Sequence, residues 1–136
     1  MLLDTSILIE ISRKEKSSPF FLRVKEILSS EQIFVSVIQI AEVADWSVRN
    51  NLPVIEEITA VKEFAQIVPL DEKICEDSAG IKKKRRSSGH KDFGLVDAII
   101  LATARSVNQR LLTIDQHFAG EDDCIVLKSR VIRKKR

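Results

Sequence analysis

Four acidic residues lie at the end of an apolar segment, near the start of a predicted helix or within an apolar helical segment. They are Asp4, Glu42, Asp97 and Asp115. In an open parallel sheet, ligands bind beyond the carboxyl ends of the strands, so acids at those ends can meet in one crevice. Four carboxylates brought together repel one another strongly unless cations neutralise them. Oxygen ligands without a thiolate or imidazole cluster favour Mg²⁺ or Mn²⁺, and such a site suits phosphodiester hydrolysis by an activated water.

Each of these acids also has a structural explanation, and the sequence leaves both explanations open. Asp4 and Asp115 each follow an apolar run and could cap a helix or turn by accepting a backbone N–H. Asp97 falls near the third position of a predicted helix, where an acid complements the helix dipole. Glu42 lies in a largely apolar helical segment, either on its polar edge or pointing into a polar crevice, because a buried unpaired carboxylate is costly. His117 is interpreted as a surface or supporting residue.

The elements that must position these acids alternate along the chain. Short apolar runs predict strands at 2–3, 33–35, 67–68, 111–114 and 124–127, with helices at 7–12, 19–28, 37–50, 52–64, 71–86 and 93–107. Ser36 with Gln39 three residues later matches a capping box at the start of the third helix. Only four glycines and three prolines are present, which argues against an all-β fold with many tight turns. The alternation predicts an α/β fold with a parallel sheet covered by helices on both faces.

Composition places the chain among globular domains. Its 136 residues are enough for one domain with an ordinary core, and 44% are apolar and 31% charged. No apolar run approaches the roughly 20 residues that span a bilayer, and the N-terminus lacks the features of a signal peptide. Cys75 and Cys124 show neither disulfide-framework nor metal spacing and are interpreted as small core residues in a reducing compartment. We therefore expect a cytoplasmic protein.

The net charge of +2 conceals an asymmetry. Residues 128–136 carry six basic side chains and no acid, so the remainder has 16 basic and 20 acidic residues and a net charge of −4. We expect one domain over residues 1–127 followed by a basic tail over 128–136. A second basic run occupies residues 82–86. Either run could attract RNA phosphates, or it could simply be a solvated helix end or a soluble tail.

Four short motifs in register resemble one known family. They are Leu3-Asp4-Thr5-Ser6, Ser36-Val37 with Glu42, Val96-Asp97-Ala98 with Ala102-Thr103-Ala104, and Leu112-Thr113-Ile114-Asp115-Gln116-His117-Phe118. In order and spacing they resemble PIN-domain ribonucleases and, among these, the VapC-type toxins. The resemblance covers nearly the whole chain.

The resemblance implies a three-layer α/β/α sandwich whose central parallel sheet has about five strands in the order 3-2-1-4-5. It implies an Mg²⁺- or Mn²⁺-dependent endoribonuclease that forms a homodimer and is blocked by an antitoxin protein. The implied metal ligands are Asp4, Glu42, Asp97 and Asp115, and the implied polar supports are Thr5, Ser6 and Thr113. Many relatives carry a further acid shortly after the fourth. Here the candidates are Glu121, Asp122 and Asp123, and the number of metal ions stays open.

Other functions fit parts of the pattern. The chain could be an RNA-processing nuclease that is not a toxin, or an RNA-binding domain without catalysis. A phosphate-accepting signalling domain would need two adjacent acids after the first strand, an aspartate ending the third and a lysine ending the fifth. Here Asp4 stands alone, Asp71 lies two residues beyond Pro69, and Lys128 is only a loose candidate for the lysine.

Overall fold

The computed structural model describes residues 1–13 and 17–128 and contains one five-stranded parallel sheet. Its strands are β1 (Leu2–Leu3), β2 (Phe34–Ser36), β3 (Gln66–Val68), β4 (Leu111–Thr113) and β5 (Cys124–Val126). The helices are α1 (Thr5–Arg13), α2 (Pro19–Leu28), α3 (Val37–Arg49), α4 (Val54–Phe64), α5 (Glu72–Ser87) and α6 (Leu95–Ser106). A 3₁₀ helix, Gln116–Phe118, lies between β4 and β5.

The strand order is β3-β2-β1-β4-β5, with every pairing parallel, so the predicted fold class and order are confirmed. Leu2 on β1 is paired with Phe34 of β2 on one side and Leu111 of β4 on the other. The first strand is therefore the central one, although it is only two residues long. The carboxyl ends of β1, β2 and β4 consequently open onto the same edge of the sheet.

Helices cover both faces of the sheet. Because successive strand residues point to opposite faces, the two residues of β1 belong to different cores. Leu3 belongs to a core formed with α1 to α4, which includes Ile7, Val24, Val43 and Val61. Leu2 belongs to a second core, which contains residues of α6 together with Phe93 and Phe118. Helix α5 packs against α6 through a smaller cluster of Ile74, Ile99 and Ala102. These layers make the three-layer sandwich.

Local capping explains where several helices begin. Ser18 accepts a hydrogen bond from the N–H of Phe21, with Pro19 in the first helical position. The capping box of Ser36 and Gln39 is formed as predicted. Asp71 caps α5 by accepting the N–H of Ile74 over 2.8 Å.

Three expectations need correction. Helix α1 begins at Thr5 and not at residue 7, because the carbonyl of Asp4 already accepts the N–H groups of Ile7 and Leu8. Cys75 is exposed on α5, so its interpretation as a core residue was wrong, whereas Cys124 is half-buried. The basic run 82–86 is not uniformly solvated, because the side chain of Arg85 is buried. Its contacts are described below.

Of the predicted basic tail, all but Lys128 lies outside the described residues, so the boundary at 127 stays a prediction. In the ranges 1–13 and 17–128, no helix combines the length and the apolar character that a membrane crossing requires.

Candidate metal centre

The pairing of β1 with β4 brings Asp4 next to the segment that carries Asp115. The N–H of Asp4 donates to the carbonyl of Leu112 over 2.9 Å, which continues the ladder one residue past the end of β1. Asp115 lies two residues past Thr113, the last residue of β4. Glu42 comes from α3, which follows β2, and Asp97 lies in the first turn of α6. The four acids thus come from four elements that meet at one edge of the sheet.

Asp4 is held by two hydroxyl groups. Its side chain is buried, with 5% of the residue exposed. One oxygen, Oδ2, accepts hydrogen bonds from Ser6 Oγ and from Thr113 Oγ1, each over 2.7 Å. Burial raises the pKa of Asp4, and the nearby Asp115 charge raises it further, although the Thr113 and Ser6 hydroxyls act in the opposite direction. The contacts fix the orientation of this carboxylate, and Asp4 is more than a cap for α1.

Thr113 and Ser6 form a small polar network around Asp4. Thr113 is fully buried at the end of β4, and its Oγ1 also accepts the N–H of Asp115 over 2.9 Å. Ser6 lies in the first turn of α1, and its Oγ accepts the N–H of Ile114 over 3.3 Å. The two hydroxyl oxygens are 3.4 Å apart. This network joins the start of α1 to the segment after β4.

Glu42 is held by a relay that begins in the core. Thr5 Oγ1 donates to Glu42 Oε1 over 2.5 Å. The fully buried amide of Gln39 donates through Nε2 to Thr5 Oγ1 over 3.2 Å and to the carbonyl of Leu3 over 2.6 Å. Burial raises the pKa of Glu42 despite the Thr5 hydroxyl, with further contributions from the charges of Asp4 and Asp97. Glu42 therefore points toward the other acids and not along a solvated helix edge.

Asp97 and Asp115 combine the capping role and the convergent one. Asp97 Oδ2 accepts the N–H of Gly94 over 2.9 Å, and Asp115 Oδ1 accepts the N–H of His117 over 2.9 Å. Burial raises the pKa of Asp97, as does the charge of Asp115. An oxygen of each carboxylate and a ring nitrogen of His117 lie within 4.8 Å of one another. Asp97 and Asp115 thus each accept a backbone N–H at the start of a helix or turn, and this role leaves their carboxylates close to each other and to His117.

The electrostatic interactions connect all four acids. The charge of Asp115 raises the pKa values of Asp4 and Asp97. The charges of Asp4 and Asp97 raise the pKa of Glu42. Within residues 1–13 and 17–128, no lysine or arginine nitrogen comes within 4.0 Å of these carboxylates. The basic side chain next to them is His117, whose Nδ1 lies within 4.0 Å of Asp97 and Asp115. Neighbouring like charges favour either protonation of the carboxylates or a bound cation. A set of carboxylate oxygens fits a hard divalent ion such as Mg²⁺ or Mn²⁺.

The later acids have other partners. Glu121 accepts from Arg85 Nη1 over 2.9 Å and from Arg105 Nη2 over 2.8 Å. Asp123 is paired with Arg105 Nε over 2.7 Å, which lowers the pKa of Asp123. Asp122 is exposed. None of these three is among the acids that interact with Asp4, Glu42 or Asp97.

Two residues at the site were missed by the sequence reasoning. Gln39 was recognised only as half of a capping box, and its contacts with Leu3 and Thr5 depend on the packing of α3 against β1. His117 was interpreted only as a surface or supporting residue, yet its Nδ1 is 3.3 Å from Asp115 Oδ1. Its position two residues after Asp115 was the available signal, because a turn capped by Asp115 folds His117 back toward that acid.

Comparisons with known proteins agree with this architecture. The sequence profile described as PIN domain matches residues 1–120. A toxin-antitoxin complex from Klebsiella pneumoniae contains a chain 24% identical to this one, with a TM-score of 0.72 and coverage of 92% of this chain and 95% of that chain. VapBC2 from Rickettsia felis, bound to a promoter DNA fragment, gives 18% identity, a TM-score of 0.68 and coverage of 93% and 96% respectively. FitAcB from Neisseria gonorrhoeae gives 23% identity, a TM-score of 0.60 and coverage of 85% and 88%. No curated protein sequence matches the chain significantly.

Proposed function

The chain belongs to the PIN-domain family, and on that basis we propose that it is a metal-dependent endoribonuclease acting as the toxin of a toxin-antitoxin pair. The observation that carries the proposal is the mutual interaction of Asp4, Glu42, Asp97 and Asp115 at one sheet edge. A merely structural role does not require carboxylates from separate elements to lie so close that the charges of their neighbours raise the pKa of Asp4, Glu42 and Asp97.

In this proposal the four carboxylates hold Mg²⁺ or Mn²⁺. When bound, the ion would supply Lewis-acid activation of a water and neutralise charge on the phosphodiester. The chain's own groups orient the carboxylates: the Ser6 and Thr113 hydroxyls orient Asp4, and the Thr5 hydroxyl orients Glu42. Such supporting hydrogen bonds are a regular part of metal sites and tune the affinity of the ligands.

A cleft beside Glu42 is the proposed path for the RNA strand. It is lined by Thr5 and Glu42, by the apolar Ile38 and Val96, and by the charged pair Asp45 and Arg49. Arg49 is exposed and pairs with Asp45 over 3.0 Å, so its guanidinium is available to exchange that surface partner for a phosphate. The exposed Lys83 and Lys84 and the tail 128–136 stay predicted RNA contacts, whereas Arg85 is engaged within the fold.

The proposed toxin role is supported by the similar structure from Klebsiella pneumoniae, which is described as a toxin-antitoxin complex. An antitoxin needs a binding surface, and this chain has an apolar pocket between its first four helices. Leu8, Phe21, Trp46, Val61 and Phe64 are among its lining residues. An amphipathic antitoxin segment would bury these side chains in a helix-in-groove arrangement. We also propose a homodimer, which light scattering on the purified chain would test.

The deciding experiment measures cleavage of RNA by purified protein with Mn²⁺ or Mg²⁺ and again with excess EDTA. We expect cleavage that the chelator abolishes. Metal-independent cleavage, or no cleavage of any RNA tested, would contradict a metal-dependent nuclease. RNA retention that is indifferent both to chelator and to Asp97→Asn would indicate an RNA-binding domain without catalysis.

The toxin role is tested separately from the chemistry. Expression of the active chain should arrest growth, and a small neighbouring gene for a DNA-binding protein with an amphipathic tail should relieve the arrest. An active nuclease without such a neighbour and without toxicity would be an RNA-processing enzyme.

A further inference from the structure

We propose that His117 is a nitrogen ligand of this metal centre and that it shifts the preference of the site from Mg²⁺ toward Mn²⁺. The inference rests on the proposed metal-dependent function and concerns which ion the site selects. It assigns a direct role to a residue that the four-carboxylate set does not include.

The separations of the candidate ligand atoms carry the first step. His117 Nδ1 is 3.3 Å from Asp115 Oδ1 and 3.8 Å from Asp97 Oδ2. Neighbouring ligands of an octahedral ion with bonds of about 2.1 Å are about 3.0 Å apart, and opposite ligands about 4.2 Å apart. The two measured separations differ from these values by a few tenths of an ångström. One ligand atom from each of the three side chains lies within 4.8 Å of the others, so small side-chain adjustments would bring all three to one ion.

The orientation of the imidazole carries the second step. His117 as a side chain is 38% exposed, but its Nδ1 has less than 1 Å² of accessible surface. This nitrogen faces the carboxylates of Asp115 and Asp97 at salt-bridge distance, but it makes no hydrogen bond of acceptable geometry within the described part of the chain. Buried nitrogen atoms in folded proteins nearly always have a partner, so one that lacks it calls for an explanation. A bound cation between Nδ1 and the two carboxylates supplies that partner.

The turn that presents His117 is firmly held. Arg85 Nη2 donates to the carbonyl of His117 and, over 2.9 Å, to the carbonyl of Ala119. Phe118 is fully buried and makes an edge-to-face contact with Phe93, with ring centroids 5.5 Å apart. Metal sites depend on ligands whose positions are fixed by packing and by hydrogen bonds outside the ligand set. The backbone of His117 meets this requirement.

The chemistry of the donor gives the direction of the selectivity. Mg²⁺ binds oxygen almost exclusively and tolerates little departure from its preferred geometry. Imidazole suits transition-metal ions such as Fe and Zn, whereas carboxylates suit both Mn²⁺ and Mg²⁺. Mn²⁺ is itself a transition-metal ion, so an imidazole donor costs it less than it costs Mg²⁺. A site with one imidazole among its carboxylates should therefore bind Mn²⁺ better than Mg²⁺ by a wider margin than an all-carboxylate site would.

The test uses Mn²⁺ itself as the probe, on the untagged full chain without RNA. Pulsed electron paramagnetic resonance detects a directly bound ¹⁴N nucleus by its coupling to the Mn²⁺ spins. The chain contains two histidines, so His90→Gln is the matched control. We expect the nitrogen signal in the wild type and in His90→Gln, and its loss in His117→Gln. Mn²⁺ affinity measured by calorimetry should fall about tenfold or more in His117→Gln, and His117→Asp should narrow the preference for Mn²⁺ over Mg²⁺.

The outcomes separate this inference from the proposed function. If Mn²⁺ binds, and Asp97→Asn abolishes the binding, but no ¹⁴N coupling appears, the metal centre stands and the role of His117 is refuted. If the wild type binds neither Mn²⁺ nor Mg²⁺, both proposals fail. If nitrogen coupling persists in His117→Gln and disappears in His90→Gln, the ligand has been misassigned.

Discussion

The hydroxyl of Thr5 donates to Oε1 of Glu42 over 2.5 Å and thereby joins the first turn of α1 to the middle of α3. The Thr5 hydroxyl oxygen in turn accepts a hydrogen bond from Gln39 Nε2, which also donates to the carbonyl of Leu3 at the end of β1. A buried amide, a hydroxyl and a carboxylate thus form one chain from the sheet to the proposed metal centre. The position of Glu42 depends on both neighbours.

Thr5→Val tests this chain, because valine keeps the shape of threonine and removes the hydroxyl. We expect Mn²⁺ affinity to fall about 10- to 100-fold, the usual effect of losing a group that orients a ligand. Thr5→Ser is the matched control, since it restores the hydroxyl and should recover most of the affinity. Equal affinity in the Val and Ser variants, measured by calorimetry, would show that the hydroxyl does not orient Glu42.

Asp97→Asn should abolish RNA cleavage with Mn²⁺ while the far-ultraviolet circular dichroism spectrum stays unchanged. Asparagine can still accept the N–H of Gly94, which Asp97 accepts over 2.9 Å, so the start of α6 is preserved. Asp122→Asn removes the same charge from an exposed acid and should cleave like the wild type. Cleavage by Asp97→Asn at the wild-type rate would refute its role as a ligand.

Asp4→Asn should stabilise the metal-free protein at neutral pH. Because burial raises the pKa of Asp4, the folded state binds the proton more tightly than the unfolded chain does. The stability that Asp4 contributes through this tighter proton binding is complete below the ordinary carboxyl pKa of 3.8. It is lost as pH rises through the raised pKa of the folded state. In EDTA at pH 7, we expect Tm of Asp4→Asn to exceed that of the wild type by a few degrees, the shift that about 1 kcal/mol produces at this size.

Two further observations check that sign. The difference in Tm should shrink as the pH is lowered through the raised pKa of Asp4, because Asp4 then gains its proton in the folded wild type. Added Mn²⁺ should raise the Tm of the wild type and leave that of Asp4→Asn nearly unchanged. A wild type that is the more stable of the two in EDTA at pH 7 would contradict the prediction.

Arg85→Met should destabilise the fold by about 3 kcal/mol or more, since it leaves buried acceptors without their charged donor. Arg85 pairs with Glu121, donates to the carbonyls of His117 and Ala119, and lies with its guanidinium carbon 5.5 Å from the ring centroid of Phe93. Lys84→Met alters the exposed neighbour and should change the free energy of unfolding by less than about 0.5 kcal/mol. Urea denaturation measures both, and similar values would show that Arg85 is replaceable.

The architecture could be predicted from sequence because it depends on local patterns. Apolar runs as short as Leu2–Leu3 are recognisable as strands when a helix follows each one, and the capping box at Ser36 and Gln39 marked the start of α3 correctly. The strand order came from the family resemblance, since no local pattern distinguishes a central strand from an edge strand. Asp4, Asp97 and Asp115 could be selected for the same reason, as residues after strands or in a first helical turn. Glu42 was selected as an acid within an apolar helical segment.

What could not be predicted depends on contacts across the fold. A run of five basic residues gives no indication that Arg85 is the buried one, because that depends on the packing of α5 against α6 and the loop after β4. The ambiguity among Glu121, Asp122 and Asp123 had the same origin. Arg85 and Arg105 engage the first and third of these, and neither arginine is near them in sequence.

The central strand of the sheet is made by the first residues of the chain, and one of its neighbours, β4, begins at Leu111. During synthesis on the ribosome, Asp4 is therefore made 109 residues before Thr113, its hydrogen-bond partner. A product that terminates before Thr113 lacks both the hydroxyl of Thr113 and the carboxylate of Asp115. Under the proposed function, such a fragment would lack the complete metal centre and would be inactive.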